Sequence, residues 1–323
     1  MPITPALFLL TFGCEQSSEE DPSFQTSLEV ADASISGVWG AAPDDVWAVG
    51  GDAQGGRVWR YDGAAWAEVD LPDPSPLLVW VWGTGPDNVW MVGEGGAAWR
   101  WNGTSVQPFL TGTTQDLWGI WGRAADDVWI VGGDVGGDFP TILWTDGVRV
   151  VPHLLGALAN PRQATALFKV WGVNNTIFAV GENGLIIQWG GESWASQPSG
   201  ELADEDFVAL WGTAGDDMLA VGGRNSPRIS RWDGTSWTTS RPDAQLVRPL
   251  SAVWVQPDGV AYVGGLYGFT ASLTPDGTFT PDAPATDIGL HAMWGDGAGH
   301  VWAVGGTFLE PHRGVILRRE ALP

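Results

Sequence analysis

Ile35-Ser-Gly-Val-Trp-Gly-Ala-Ala-Pro-Asp-Asp-Val-Trp-Ala-Val-Gly-Gly51, followed by Arg57-Val-Trp-Arg-Tyr-Asp-Gly-Ala-Ala-Trp66, is one of seven versions of a single pattern in a chain of 323 residues. The Trp that closes the first strand of each version is Trp39, Trp82, Trp121, Trp171, Trp211, Trp254 or Trp294. Successive spacings of 43, 39, 50, 40, 43 and 40 residues have the period of a propeller or a solenoid. The residue before each Trp is apolar (Val38, Val81, Ile120, Val170, Leu210, Val253, Met293), and the one before that is mostly small (Gly37, Gly119, Ala209, Ala252, Ala292). A turn such as Ala42-Pro-Asp-Asp45 follows, then a second strand, Val46-Trp-Ala-Val-Gly50, echoed at 89–93, 128–132 and 301–305. A third strand runs into Asp62-Gly63, repeated at Asp146-Gly147, Asp233-Gly234 and Asp276-Gly277 and as Asn102-Gly103. Such dipeptides are the strongest short-range signal for a hairpin. A fourth strand carries Trp66, Trp194 or Trp237, three residues after the Gly.

Each unit is therefore a four-stranded antiparallel meander with no helix, and seven of them predict an all-β fold, a seven-bladed β-propeller. No linker interrupts the pattern, so residues 24–323 are expected to form one domain. The last unit lacks a fourth strand, while residues 24–30 are strand-like and have no other partner. An N-terminal strand completing the last blade closes the ring without leaving an open edge.

The paired Gly after the second strand, the aromatic before Asp-Gly and the Trp three residues later resemble the kelch repeat, most nearly in Val49-Gly-Gly51, Tyr61-Asp-Gly63 and Trp66. The combination of Trp-Gly with Asp-Asp-Val-Trp-Ala-Val-Gly is more similar still to the tryptophan-rich propeller repeats of secreted bacterial proteins, many of them lipoproteins. The resemblance spans about residues 24–320. It implies a fold and little about activity, because propellers host binding modules and enzymes alike.

Composition narrows the function classes. The chain has 22 Trp against 3 Tyr, 46 Gly, and 15 basic against 38 acidic residues, a formal charge of −23. A polyanion of this size is repelled by nucleic acid phosphates and by anionic membrane surfaces. The only cysteine is Cys14, so neither a disulfide framework nor a multi-thiolate zinc site can be built within the chain. Cys14 ends the run Leu7-Phe-Leu-Leu-Thr-Phe-Gly-Cys14, which resembles a bacterial lipoprotein signal peptide and is too short to cross a bilayer. The resemblance implies that residues 1–14 are a signal ending at a lipidated Cys14 and that the polar, acidic residues 15–23 are a tether. It places the protein at the cell envelope of a Gram-negative bacterium, as an outer-membrane lipoprotein or in secreted form, with membrane contact through the lipid alone.

The periodic Trp residues are read as core, since burying one removes about 150–250 Å² from water, worth roughly 4–6 kcal/mol as an upper bound. Trp80 and Trp118 fall off the shared positions and are expected to be exposed, where they could stack on a sugar. The Asp-Asp turns offer oxygen ligands, but Asp and Asn also hydrogen-bond their own backbone in turns. No cofactor is expected, and calcium is the weaker reading. His153, His291, His300 and His312 show no ligand spacing, and no Gly-x-Ser-x-Gly, His-Glu-x-x-His or P-loop occurs. Kelch-type copper oxidases need a Cys–Tyr crosslink, which a chain whose only Cys lies in the signal cannot supply.

Loop length points elsewhere. Loops after strands one and three share one rim and are nearly invariant. Loops after strands two and four share the other rim and vary widely: 51–56, 133–140, 224–227 and 307–313 after strand two, 151–168 and 201–207 after strand four. Length freedom collects where loops carry function on a rigid scaffold. The expected ligand-binding residues on that rim are Asp134, Asp138, His153, Arg162, Arg224, Asn225 and His312, with the acidic run 204–206. Lys169 stands at a position otherwise mostly small on an innermost strand, facing the channel or reaching the rim. The expectation is a non-enzymatic, monomeric envelope scaffold whose rim holds an envelope protein or a glycan. The alternatives are a carbohydrate-active enzyme, a lyase or hydrolase with acidic catalysts on the same rim, and a lectin using Trp80 or Trp118.

Overall fold

The computed structural model describes residues 23–155, 164–200, 202, 204–242 and 248–321. Within them the chain forms seven four-stranded antiparallel sheets, each ordered from first strand to last without a crossover. The innermost strands are Ser34–Ala42, Leu78–Gly85, Leu117–Ala124, Leu167–Val173, Phe207–Ala214, Leu250–Val255 and Leu290–Gly295. The seventh sheet takes its outer strand from the other end of the chain: Gln25–Val30 pairs antiparallel with Gly314–Arg319. The predicted ring and its closure are both present. Among the described residues the only helical pieces are single 3-10 turns at Glu94–Gly96, Glu182–Gly184 and Leu266–Gly268, after the second strand of blades two, four and six. The longest loops at that place, 133–140 and 307–313, belong to blades three and seven, whereas in blade one the strands run on to Asp52 and Gly55.

The recurring Trp-Gly pair has a reason that only the assembled ring supplies. At four of the seven junctions the closing Trp lies against the Gly of the next blade. A Cβ added to Gly83 would come within 2.7 Å of the Trp39 ring, one on Gly172 within 2.7 Å of Trp121, and one on Gly295 within 2.6 Å of Trp254. Gly40 receives Trp294 in the same way, which carries the contact across the junction of blades seven and one. Where blades four and five meet, Trp171 and Trp211 stack with centroids 3.8 Å apart. The four Trp–Gly junctions are thus keyed by an indole in a glycine notch. Gly295→Ala should destabilise by about 1–3 kcal/mol, the usual cost of overpacking a tight contact. A guanidinium midpoint lowered at constant m-value checks this.

Four second-strand aromatics are buried completely: Trp47, Trp90, Trp302 and Phe178 are each 0 % exposed. Turn Asp and Asn side chains hold this layer in place. Asp45 Oδ1 accepts from Trp47 Nε1 (3.0 Å) and Arg60 Nε (2.7 Å). Asn88 accepts from Arg100 (2.6 Å), and Asp127 from the Trp144 indole (2.8 Å). At the Asp-Gly hairpins, Asp62 Oδ1 accepts the backbone N–H groups of Ala64 and Ala65, both at 2.9 Å. Asn102 and Asp233 repeat that pattern. These backbone hydrogen bonds favour the ionised form and hold Asp62 and Asp233 below the usual carboxylate range. Asp146, which accepts the backbone N–H groups of Val148 and Arg149 and the Arg149 side chain, is lowered to about 2. The glycine that follows sits at φ 85–92° in all five hairpins, a left-handed conformation costly for any residue with a Cβ.

Candidate functional site

Each innermost strand carries a bulge at the same place, shown by register shifts such as Ile35/Gly37, Leu117/Gly119 and Leu290/Ala292. The bulged residues are Ser36, Val79, Trp118, Phe168, Val208, Ser251 and His291; those that follow are Gly37, Trp80, Gly119, Lys169, Ala209, Ala252 and Ala292. This alters the reading of two tryptophans. Trp80 and Trp118 occupy shared positions after all, with unusual side chains, and both are half-buried. The bulge offsets the strand by one residue, which sequence spacing alone does not reveal.

These bulges gather an aromatic collar near the axis. Trp118 donates from Nε1 to the Gly133 carbonyl (2.8 Å) and meets Phe168 edge-on at 6.2 Å. Lys169 reaches from blade four across blade three to blade two. Its ammonium donates to the Trp118 carbonyl (3.0 Å) and lies 4.0 Å above the Trp80 ring. Gly119 makes room for this passage: a Cβ there would come within 2.9 Å of Lys169 Cα. Lys169 is only 8 % exposed, and burial pushes its amine down to about 7. On blade seven, the half-buried His291 approaches the Gly306 carbonyl with Nε2 (2.9 Å) and packs on Phe308 at 4.7 Å. Burial, with the nearby Lys169 charge adding to it, lowers its pKa.

Beside the collar a cavity of about 820 Å³ opens on the variable rim. Leu77, Val79, Trp118, Phe308 and Leu309 supply its apolar wall, and Asp52, Glu94, Glu310 and His312 border it. Asp52 is committed to its own loop, accepting from the N–H groups of Gln54 (2.6 Å) and Gly55 (3.2 Å). Burial first, and then nearby Asp116, raise the pKa of Glu94. His312 lies with Nδ1 3.2 Å from the Thr307 carbonyl.

The remaining candidates divide. Asp134 holds its loop by accepting from the Asp116 N–H (3.1 Å), and Asp138 is exposed in that loop. The acidic run acts as a clip. Glu205 accepts the backbone N–H groups of Arg224 (2.9 Å) and Asn225 (3.3 Å), Asp206 pairs with Arg224, and Asp204 with Arg228 at 2.6 Å. Arg228, 1 % exposed, also donates to the Leu202 carbonyl (2.7 Å). His153 is not a rim side chain: it packs between Trp129 (4.9 Å) and Trp189 (5.1 Å) where blades three and four meet. Burial there lowers its pKa. Arg162 and Cys14 lie outside the described residues. Among the described residues, no group of three or more His, Asp or Glu side chains converges as metal ligands do.

Two features escape reasoning from motif spacing. Nine of the eleven large hydrophobic side chains exposed among the described residues lie in loops of the variable rim, including Leu110, Phe139, Leu154, Tyr267, Phe308 and Leu309. Apolar residues inside long inter-strand loops were the available signal. The second feature is a count: Lys169 is the only lysine in the chain.

Comparison with solved structures agrees with this architecture. The chain is similar to virginiamycin B lyase from Staphylococcus aureus (TM-score 0.73, 15 % identity, covering 91 % of this chain and 99 % of that one). It is also similar to the WD40 β-propeller domain of Doa1 (0.71, 12 %, 92 % and 97 %) and to YCF48 bound to D1 peptide (0.69, 14 %, 95 % and 98 %). The shared property is the β-propeller fold. No protein-family model and no curated protein sequence matches the chain.

Proposed function

We propose that this propeller is a protein-binding scaffold whose variable rim docks a partner, held at the cell envelope by lipid on Cys14. The observation that carries the reading is the concentration of exposed apolar side chains on one rim, two of which, Phe308 and Leu309, line the cavity. On a chain of net charge −23, apolar groups gathered on one face of a rigid ring are the signature of an interaction surface. The similar fold of YCF48, solved bound to D1 peptide, supports a peptide-binding use of such a ring. Trp80 and Trp118 favour protein over glycan, because their rings are half-buried and already packed against Lys169 and Phe168.

A photo-crosslinking amino acid at Leu309, 83 % exposed, should trap one protein adduct of defined mass in intact cells. The same group at Val148, 85 % exposed on the opposite rim, should trap none. Phe308→Asp should abolish the adduct without lowering the melting temperature. Equal labelling from both rims, or none from Leu309, overturns the scaffold reading. In the same cells Cys14→Ser should abolish incorporation of labelled palmitate and release the protein from the membrane fraction; an unchanged distribution overturns the anchor.

A further inference from the structure

We propose that the inner end of the rim cavity is a carboxylate-binding site, in which the Lys169 ammonium is the counter-charge and Val79 and Trp118 form the wall. The inference goes beyond the docking of a protein on the rim and does not depend on it.

The chain has 38 acidic residues and a single lysine, yet among the described residues no carboxylate pairs with that lysine. The groups around its ammonium are the Trp118 carbonyl, the Trp80 ring and, farther off, His291. An ammonium has three donors, and one hydrogen bond is accounted for. A cation removed from water without a partner is costly, and burial moves its amine to about 7. An ion kept in such a place is explained by a ligand that completes it. A bound anion would raise the amine's proton affinity again, because an opposite charge within a few ångströms favours the charged form.

Position supports the same conclusion. Val79, the chain neighbour of Trp80, and Trp118, whose carbonyl accepts from the ammonium, both line the cavity. The ammonium is thus hydrogen-bonded to a residue of the cavity lining. The volume of about 820 Å³ falls within the range of small-molecule sites. Glu94 and Glu310 border the cavity, so a ligand carrying several negative charges is disfavoured. Leu77, Val79, Trp118 and Phe308 suit an apolar body. The ligand class is a monocarboxylate on an apolar framework, whether a free aliphatic or aromatic acid or the carboxyl terminus of an apolar peptide.

The single lysine makes the test clean. Full-length protein grown with [13Cε]lysine gives one lysine carbon resonance, whose titration reports the protonation of this amine. The probes are 4-phenylbutyrate, an apolar tripeptide with a free carboxyl terminus, the same tripeptide amidated, and sodium chloride at matched ionic strength. The expected result is a titration midpoint raised by about one unit or more, a tenfold gain in proton affinity, with at least one carboxylate. The amidated peptide and chloride should leave it unchanged. A response to phenylbutyrate alone assigns a free acid, and a response to the free-terminus peptide alone assigns a chain end. A resonance that no carboxylate moves, or that chloride or the amide moves equally, overturns the proposal. Calorimetry with Lys169→Gln should then show the binding heat of the responding carboxylate lost, and retained binding overturns the proposal as well. Failure here leaves the rim crosslink at Leu309 untouched, so the two readings fail separately.

Discussion

Removal of residues 24–30 should lower the melting temperature of the propeller by on the order of 10 °C or more. Three losses combine. The strand Gln25–Val30 is the outer partner of Gly314–Arg319, in a register running from Gln25 opposite Arg318 to Val30 opposite Gly314. Without it the last blade presents an unpaired edge to solvent. Phe24, 3 % exposed, packs in one cluster with Ile288, Met293 and Leu317. Truncating a buried Phe typically costs about 3–5 kcal/mol, and each kcal/mol shifts the midpoint of a domain somewhat smaller than this one by roughly 2–4 °C. Finally, the Trp66 indole donates to Ser27 Oγ at 3.1 Å, tying blade one to the closing strand. Phe24→Ala alone should reproduce a large part of the shift. Calorimetric scans of the deletion and the point variant check this; an unchanged midpoint in the deletion would mean the ring holds without its clasp.

Lys169→Met should stabilise the protein at neutral pH and flatten its pH dependence. The amine titrates near 7 when folded and near 10.5 when exposed in the unfolded chain. Between those values the unfolded state binds the extra proton, so stability rises with pH through the window, by up to about 1.4 kcal/mol per unit. Below about 7 both states are protonated and the full cost of the buried ammonium is present. Methionine fills similar space without a charge, so the variant should gain most at pH 7 and below. Burial also lowers the pKa of His153 and His291. That gives a second window, below the ordinary value of 6.5, in which stability falls as pH falls. Denaturant midpoints of both proteins across the alkaline window check the sign. A wild-type profile flat from pH 7 to 10 would show that the ammonium is not desolvated.

The candidate site was only partly legible in the sequence. Loop lengths identified the variable rim, and that rim carries the cavity and most of the exposed apolar groups. The polar residues chosen on it mostly serve the loops themselves, as with Glu205 beneath Arg224 and Asn225. Charge in a long loop reads as available from sequence, because its partner comes from a neighbouring turn. His153 shows the same limit: no local pattern says that Trp129 and Trp189 close on it from two blades.

By itself the sequence determined the number of blades, the four strands in each, the Asp-Gly hairpins and the closing strand. These follow from local patterns, namely strand alternation, turn chemistry and an unpartnered strand at each end, and seven repetitions average out the exceptions. Tertiary structure alone decided what meets between blades. Four of the closing Trp residues find a glycine notch in the next blade, and the only lysine crosses blade three to rest on Trp80 of blade two. Such contacts depend on the angle between neighbouring sheets and on a one-residue bulge in each inner strand, quantities that no single repeat encodes.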